Sequence, residues 1–176
     1  RPVSFYGTSY TTMYIAENGL ISFNEQEEIP FFTEYMPTET DYKTLLAPYW
    51  MFASLDTYSY PKEDVGIFVQ YDDEKIIVSW EYLQDNFGGM GPPMSAQVIF
   101  YNNGTMKFQY KMNGGFDAIS RNGFIGMQNE DKSDVVLINA YSNLAHGNGL
   151  AYIVTPAEKH VVSPGTTLEA TIEISA

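Results

Sequence analysis

Residues 105–112 constrain the fold more than any other part of the chain. Met106, Phe108, Tyr110 and Met112 fall on one side of an extended backbone, and Thr105, Lys107, Gln109 and Lys111 fall on the other. A period of two with one apolar side is the pattern of a strand with one dry and one wet face. Asn102-Asn103-Gly104 precedes it and joins it to an apolar run at 96–101. Asn and Gly accept the positive φ that a tight hairpin demands, so the two runs read as paired antiparallel strands.

The same reasoning extends along the chain. A second hairpin is expected from 65–71 and 75–83, with Asp72-Asp73-Glu74 at its tip. Strict alternation there puts Ile76, Val78, Trp80 and Tyr82 on one face, and Ile77 and Leu83 on the other beside Ser79 and Glu81. Further strands are expected at 11–16, 19–24, 124–128, 135–139 and 150–154, separated by Asn18-Gly19, Asn113-Gly114-Gly115 and Asn122-Gly123 turns. The one helical pattern, from Glu39 to Leu46, amounts to two turns at most. With 14 Tyr and 11 Phe, the aromatic content suits pleated surfaces that pack a ring and wet a hydroxyl. The expected fold is all-β: an antiparallel two-sheet β-sandwich, jelly-roll-like or immunoglobulin-like, with long loops. Two stretches break the strand pattern, one acidic and aromatic at 25–41 and one rich in Gly, Pro and Met at 85–95. Both read as long loops.

Residues 1–162 form the expected sandwich domain. The tail, 163–176, opens on Ser163-Pro164-Gly165 and then alternates, with Leu168, Ala170, Ile172 and Ile174 on one face. It is either a terminal edge strand or the start of a following module. As an edge strand it is also a candidate for exchange between subunits, which would make the protein a homo-oligomer or a filament subunit.

The net charge of −13 comes from 22 acidic against 9 basic residues. Such a field repels phosphate backbones and anionic membrane surfaces, which argues against nucleic acid as a partner. No apolar run approaches the ~20 residues of a membrane helix, so membrane insertion is not expected. The chain has no cysteine, which removes disulfides, thiol nucleophiles and Cys-type zinc sites together. Arg1 leads straight into a strand-like segment, so the chain reads as a mature product or an excised domain.

Five segments, in order, resemble a family. Phe5-Tyr6-Gly7 through Tyr10 and Tyr14-Ile15 to Asn18-Gly19-Leu20-Ile21-Ser22-Phe23 resembles an F-Y-G-x-x-Y-x-x-x-Y-V-x-x-N-G-x-I-x-F opening. Leu46-Ala47-Pro48-Tyr49-Trp50 resembles I-A-P-x-W, and Val78-Ser79-Trp80 resembles V-x-W. Gln97 to Tyr101 followed by Gly104 to Tyr110, and then Phe124-Ile125-Gly126-Met127-Gln128-Asn129, complete the set. Together they resemble an extracellular β-sandwich domain of bacterial secreted and surface multidomain proteins, often found beside subtilisin-type proteases. The nidogen-type extracellular domain of animals is distantly similar. The resemblance implies a sandwich without catalytic machinery of its own, secreted or displayed at the cell surface. The tail after Val162 is similar to the opening of the immunoglobulin-like modules that often follow such domains.

The chemistry agrees with a non-enzyme. His146 and His160 are the two histidines, and neither sits in a recognisable constellation. There is no Gly-x-Ser-x-Gly elbow and no His-Glu-x-x-His run. Glu81 beside Trp80 is the one suggestive acid, but alternation turns it away from that ring. No cofactor is expected; calcium is the one ion the carboxylates could hold, with Asp72, Asp73 and Glu74 as weak ligand candidates. A ligand platform is sought among aromatic rings in loops: Tyr58, Tyr60, Phe87, Tyr35 and Tyr82, with Asn86 as a polar partner, while Trp50 and Trp80 are assigned to the core. The expected function is adhesion or protein–protein interaction by a non-catalytic module. The alternatives are a carbohydrate-binding module of a secreted enzyme and a filament subunit assembled by strand exchange. The expected partner is an extracellular protein or glycan.

Overall fold

A computed structural model describes residues 2–25, 33–86, 93–113, 118–120, 123–140, 145–147 and 150–156. Among these, every regular element is a strand and every pairing is antiparallel. The chain begins with a short ribbon, β1 (Val3–Phe5) and β2 (Thr8–Tyr10), turned by Tyr6 and Gly7 at positive φ. The smaller sheet uses β3 (Tyr14–Ile15), β4 (Ile21–Ser22), β5 (Leu45–Trp50), β12 (Phe124–Gln128) and β13 (Val135–Ala140), in the order β13-β12-β5-β4-β3. The larger uses β6 (Ala53–Leu55), β7 (Gly66–Tyr71), β8 (Lys75–Asp85), β9 (Met94–Tyr101), β10 (Met106–Met112) and β15 (Ala151–Val154). Its order is β15-β10-β9-β8-β6, with β7 pairing along the same side of β8 as β6. A second ribbon joins β11 (Ala118–Ser120) to β14 (Ala145–Gly147).

The two sheets close on each other through their apolar faces. Trp80, Val78, Val98, Phe108 and Met94 from the larger sheet meet Ile21, Leu46, Tyr49, Ile125 and Met127 from the smaller in one buried cluster. Two polar side chains cross the gap with their polar ends satisfied. Tyr110 donates its hydroxyl to Pro48 O at 2.6 Å, and Trp80 donates Nε1–H to Ala16 O at 2.7 Å. The alternation at 106–112 is realised in full, with Lys107, Gln109 and Lys111 facing away from the core.

In two strands a register slip decides which large residues face inward. At Tyr82 the backbone takes φ 64°, and the pairing of β8 with β9 jumps between Trp80 and Leu83. The inserted residue carries Leu83 onto the core face, fully buried, and leaves Tyr82 outside the core cluster. This reverses the expected assignment of those two side chains, because a bulge flips the phase of everything beyond it. In β5 the pairing with β12 slips between Phe124 and Gly126, so that Leu46, Tyr49 and Met51 point inward while Leu45, Ala47 and Trp50 point outward.

That outward row is covered. Residues 33–44, which include most of the run expected as a helix at Glu39–Leu46, contain no helix; 39–44 are irregular and Leu45 and Leu46 belong to β5. Two turns have too little hydrogen bonding to stand alone. The segment instead lies over the outer face of the smaller sheet, where Met36 and Tyr42 pack with Leu45, Trp50 and Phe124. Gln128, fully buried, pegs it down. Its Oε1 accepts from Thr38 N, and its amide nitrogen donates to Thr38 Oγ1, Tyr42 O and Lys43 O, all at 2.8–3.0 Å. Lys132 donates to the carbonyls of Thr38 and Thr40. The strands expected at 11–16 and 19–24 shrink to Tyr14–Ile15 and Ile21–Ser22, because Gly19 turns the chain hard against β5. A Cβ on Gly19, at φ +85°, would lie 2.1 Å from Tyr49 O.

Gly19→Ala therefore meets both left-handed strain and a backbone clash, and is expected to destabilise by about 3 kcal/mol. A urea titration showing a loss below about 1 kcal/mol would refute this close approach. A second outcome concerns pH. Burial, reinforced by the phenols of Tyr152 and Tyr49, holds the Tyr110 hydroxyl well above its ordinary value of 10.0. The unfolded chain ionises there near pH 10 and the folded chain does not, so this contribution is intact below about pH 10 and is lost as pH rises further. Tyr110→Phe should flatten the alkaline loss of stability, at a cost of about 1–3 kcal/mol at neutral pH from the orphaned Pro48 carbonyl.

Candidate functional site

The sought aromatic platform is divided between two places. At the β6–β8 end of the larger sheet, Asp56 Oδ1 accepts from the backbone amides of Tyr58 and Ser59 at 3.2 and 3.0 Å, a tight side-chain turn. It lifts Tyr58 out of the surface, 99 % exposed. Tyr60 is half-buried and packs on Tyr82, with ring centroids 4.4 Å apart. The bulge delivers Tyr82 to this contact, and its carbonyl accepts from Asp56 N. Asn86 lies beyond on β8's exit, exposed, with Oδ1 accepting from Ser54 Oγ at 3.0 Å. Tyr35 belongs elsewhere: it lies edge-on to Phe124, 5.2 Å away, outside the smaller sheet. Phe87 and the tail residues Leu168, Ala170, Ile172 and Ile174 lie outside the described residues, as does His160. Trp50 and Trp80 are both fully buried.

The carboxylate candidates are occupied with turn-making. Asp72 Oδ1 accepts from Glu74 N and Lys75 N at 2.8 and 2.9 Å, closing the β7–β8 hairpin beside the exposed Asp73 and Glu74. The oxygen-rich turn at 129–134 behaves likewise, with Asn129 Oδ1 accepting from Asp134 N and Asp131 Oδ1 from Ser133 N. The Ser133 hydroxyl, and after it the Ser133 amide, both donating to Asp131 Oδ1, hold that carboxyl below its ordinary value. Among the described residues no three His, Asp or Glu side chains gather as a metal would need. His146 lies on β14 opposite Ile119.

Two surfaces that the sequence reading did not select come from strand order. One is β7, whose second edge meets no strand among the described residues. Phe68, Val69 and Tyr71 are 39 %, 49 % and 80 % exposed along it. Alternation could not have revealed this, since an edge and a central strand of the same composition look alike. The other is the outer face of the larger sheet. There Glu81, Ser95, Gln97, Lys107, Gln109 and Lys111 line a cleft of about 400 Å3. Glu81 does face away from Trp80, and accepts from Ser95 Oγ at 2.5 Å. The polar half of the 105–112 alternation was the available signal for this face.

Substitution separates platform from core. Tyr58→Ala is expected to change stability by no more than about 0.5 kcal/mol, whereas Trp80→Ala should cost about 3–5 kcal/mol. Equal losses in parallel denaturation curves would contradict the exposure of Tyr58.

No curated protein and no solved structure matches the chain. A family model described as NIDO related matches residues 2–163, which takes in both sheets and every described strand. That match takes in the ordered motifs from Phe5 to Asn129, and the chain belongs to the NIDO-related family.

Proposed function

We propose that the protein is a non-catalytic extracellular module for adhesion or protein–protein interaction, and that it holds its partner at β7. The family points to an extracellular setting and an interaction role. The motif likeness to domains found beside secreted subtilisin-type proteases supports an accessory part in a bacterial surface or secreted protein.

The exposed apolar edge of β7 carries the reading. Edge strands usually shield their unpaired backbone groups with charge, bulges or brevity. β7 has six residues in unbroken register with β8, and no charged side chain between Gly66 and Tyr71. The other long edge, β13, is blunted by a register shift at its partner's Ile125 and Gly126. Acids flank β7 at both ends, Glu63 and Asp64 before it and Asp72, Asp73 and Glu74 after it. An extended partner segment with apolar alternate residues and basic ends would extend the sheet by one strand.

Titration with a lysine-flanked, Val/Thr-alternating decapeptide tests this by amide NMR shifts. The expected shifts fall on residues 66–71 and disappear in a Val69→Lys/Tyr71→Lys variant of unchanged melting temperature. Shifts centred on any other strand, or none at millimolar peptide, would overturn the assignment. Concentration-dependent sedimentation in the absence of peptide would instead indicate assembly between copies of the chain.

A further inference from the structure

The outer face of the larger sheet is more ordered than a solvated surface requires. Register places Ser79, Gln97, Gln109 and Ala151 in one row across four strands, with Phe68 at its β7 end. Their side chains form a directed ladder: Gln109 Nε2 donates to Gln97 Oε1 at 2.5 Å, and Gln97 Nε2 donates to Ser79 Oγ at 2.7 Å. A second chain runs beside it. Asn113 Nδ2 donates to Ser95 Oγ at 2.9 Å, and the Ser95 hydroxyl in turn donates to Glu81 Oε2. Ser79, Ser95 and Asn113 are 7 %, 5 % and 5 % exposed, so the base of the network is buried and its orientation is fixed before any ligand arrives.

The cleft opens where short side chains adjoin long ones: Ser95 lies opposite Lys111 and near Gln97 in sequence, and Ala151 ends the row beyond Gln109. Its volume of about 400 Å3 falls in the small-ligand range of about 300–1,000 Å3. Neither Lys107 nor Lys111 pairs with an acid among the described residues. The lining therefore interleaves a carboxylate that accepts, ammonium groups that donate, and amides that do both, against an apolar wall of Leu150 and Ala151.

We infer that this cleft binds a neutral oligosaccharide on the sheet face. Each sugar hydroxyl both donates and accepts, so vicinal hydroxyls need acceptors and donors side by side, as Glu81, Gln109 and Lys111 provide; the ring's C–H face needs an apolar wall. Charge selects the neutral class. A molecule of net charge −13 repels polyanions at long range, and within the cleft Glu81 offsets part of the positive charge of Lys107 and Lys111. The row from Ser79 to Ala151 spans three strand spacings, about 14 Å, which suits a short chain of sugars rather than one ring. The site is independent of the edge-strand reading: it lies on the face of the sheet, and β7 contributes none of its lining.

The test is an amide NMR titration of the whole protein with neutral tetrasaccharides of glucose, xylose, mannose and galactose, alongside tetragalacturonate. At least one neutral probe should shift residues 95–97 and 107–111 with saturation below about 10 mM. Gln109→Ala and Lys111→Ala, both at outward positions, should weaken that binding at least tenfold while leaving the melting temperature unchanged. The inference is overturned by no response to any neutral probe, by shifts confined to other surfaces, by tighter binding of tetragalacturonate, or by variants that bind as well as the parent.

Discussion

The packing of this sandwich depends on keeping large side chains on inner faces along strands that cannot alternate faithfully from end to end. β8 runs for eleven residues and β5 passes a proline, and each would turn a large apolar residue outward if the period of two held throughout. One extra residue in each strand corrects the phase. Leu83 then completes the wall begun by Trp80, and Tyr49 joins Leu46 against Tyr110. In a chain without cysteine, no covalent link can compensate for a gap in that wall.

The bulges also explain what surrounds the core. In β5 the outward phase leaves Leu45 and Trp50 on the wrong side of the sheet, and a second small core forms over them under residues 33–44. A segment with almost no regular structure is held by side-chain packing and by one buried amide that replaces the backbone bonds a strand would have made. In β8 the same device sends Tyr82 outward to meet Tyr60, so an aromatic pair on the surface is a by-product of burying Leu83.

Much of this was legible in the chain. The 106–112 strand, its Asn-Asn-Gly turn, the β7–β8 hairpin and the run at Phe124–Gln128 follow from alternation and turn chemistry, which are local. The swap of Leu83 for Tyr82 was not legible, because a positive φ at a tyrosine is imposed by tertiary packing and has no sequence mark. The failed helix at Glu39–Leu46 has a similar cause: spacing alone cannot tell a helix from a segment laid over a sheet. The site suffered most. Tyr58, Tyr60 and Tyr35 were grouped because loops carry them, yet Tyr35 lies against Phe124 outside the smaller sheet. The β7 edge and the Gln97–Gln109 row depend on which strands are neighbours, and neighbours far apart in sequence are not written in composition.

The antiparallel register of β7 has a mechanical corollary. Bonds between such strands lie across the strand direction. A force along β7 therefore loads all six paired positions from Gly66 to Tyr71 together, while a force at right angles parts them one after another. The same holds for any segment that extends the sheet there, so its grip would be strong in shear and weak in peeling, a direction-dependent anchor set by geometry alone.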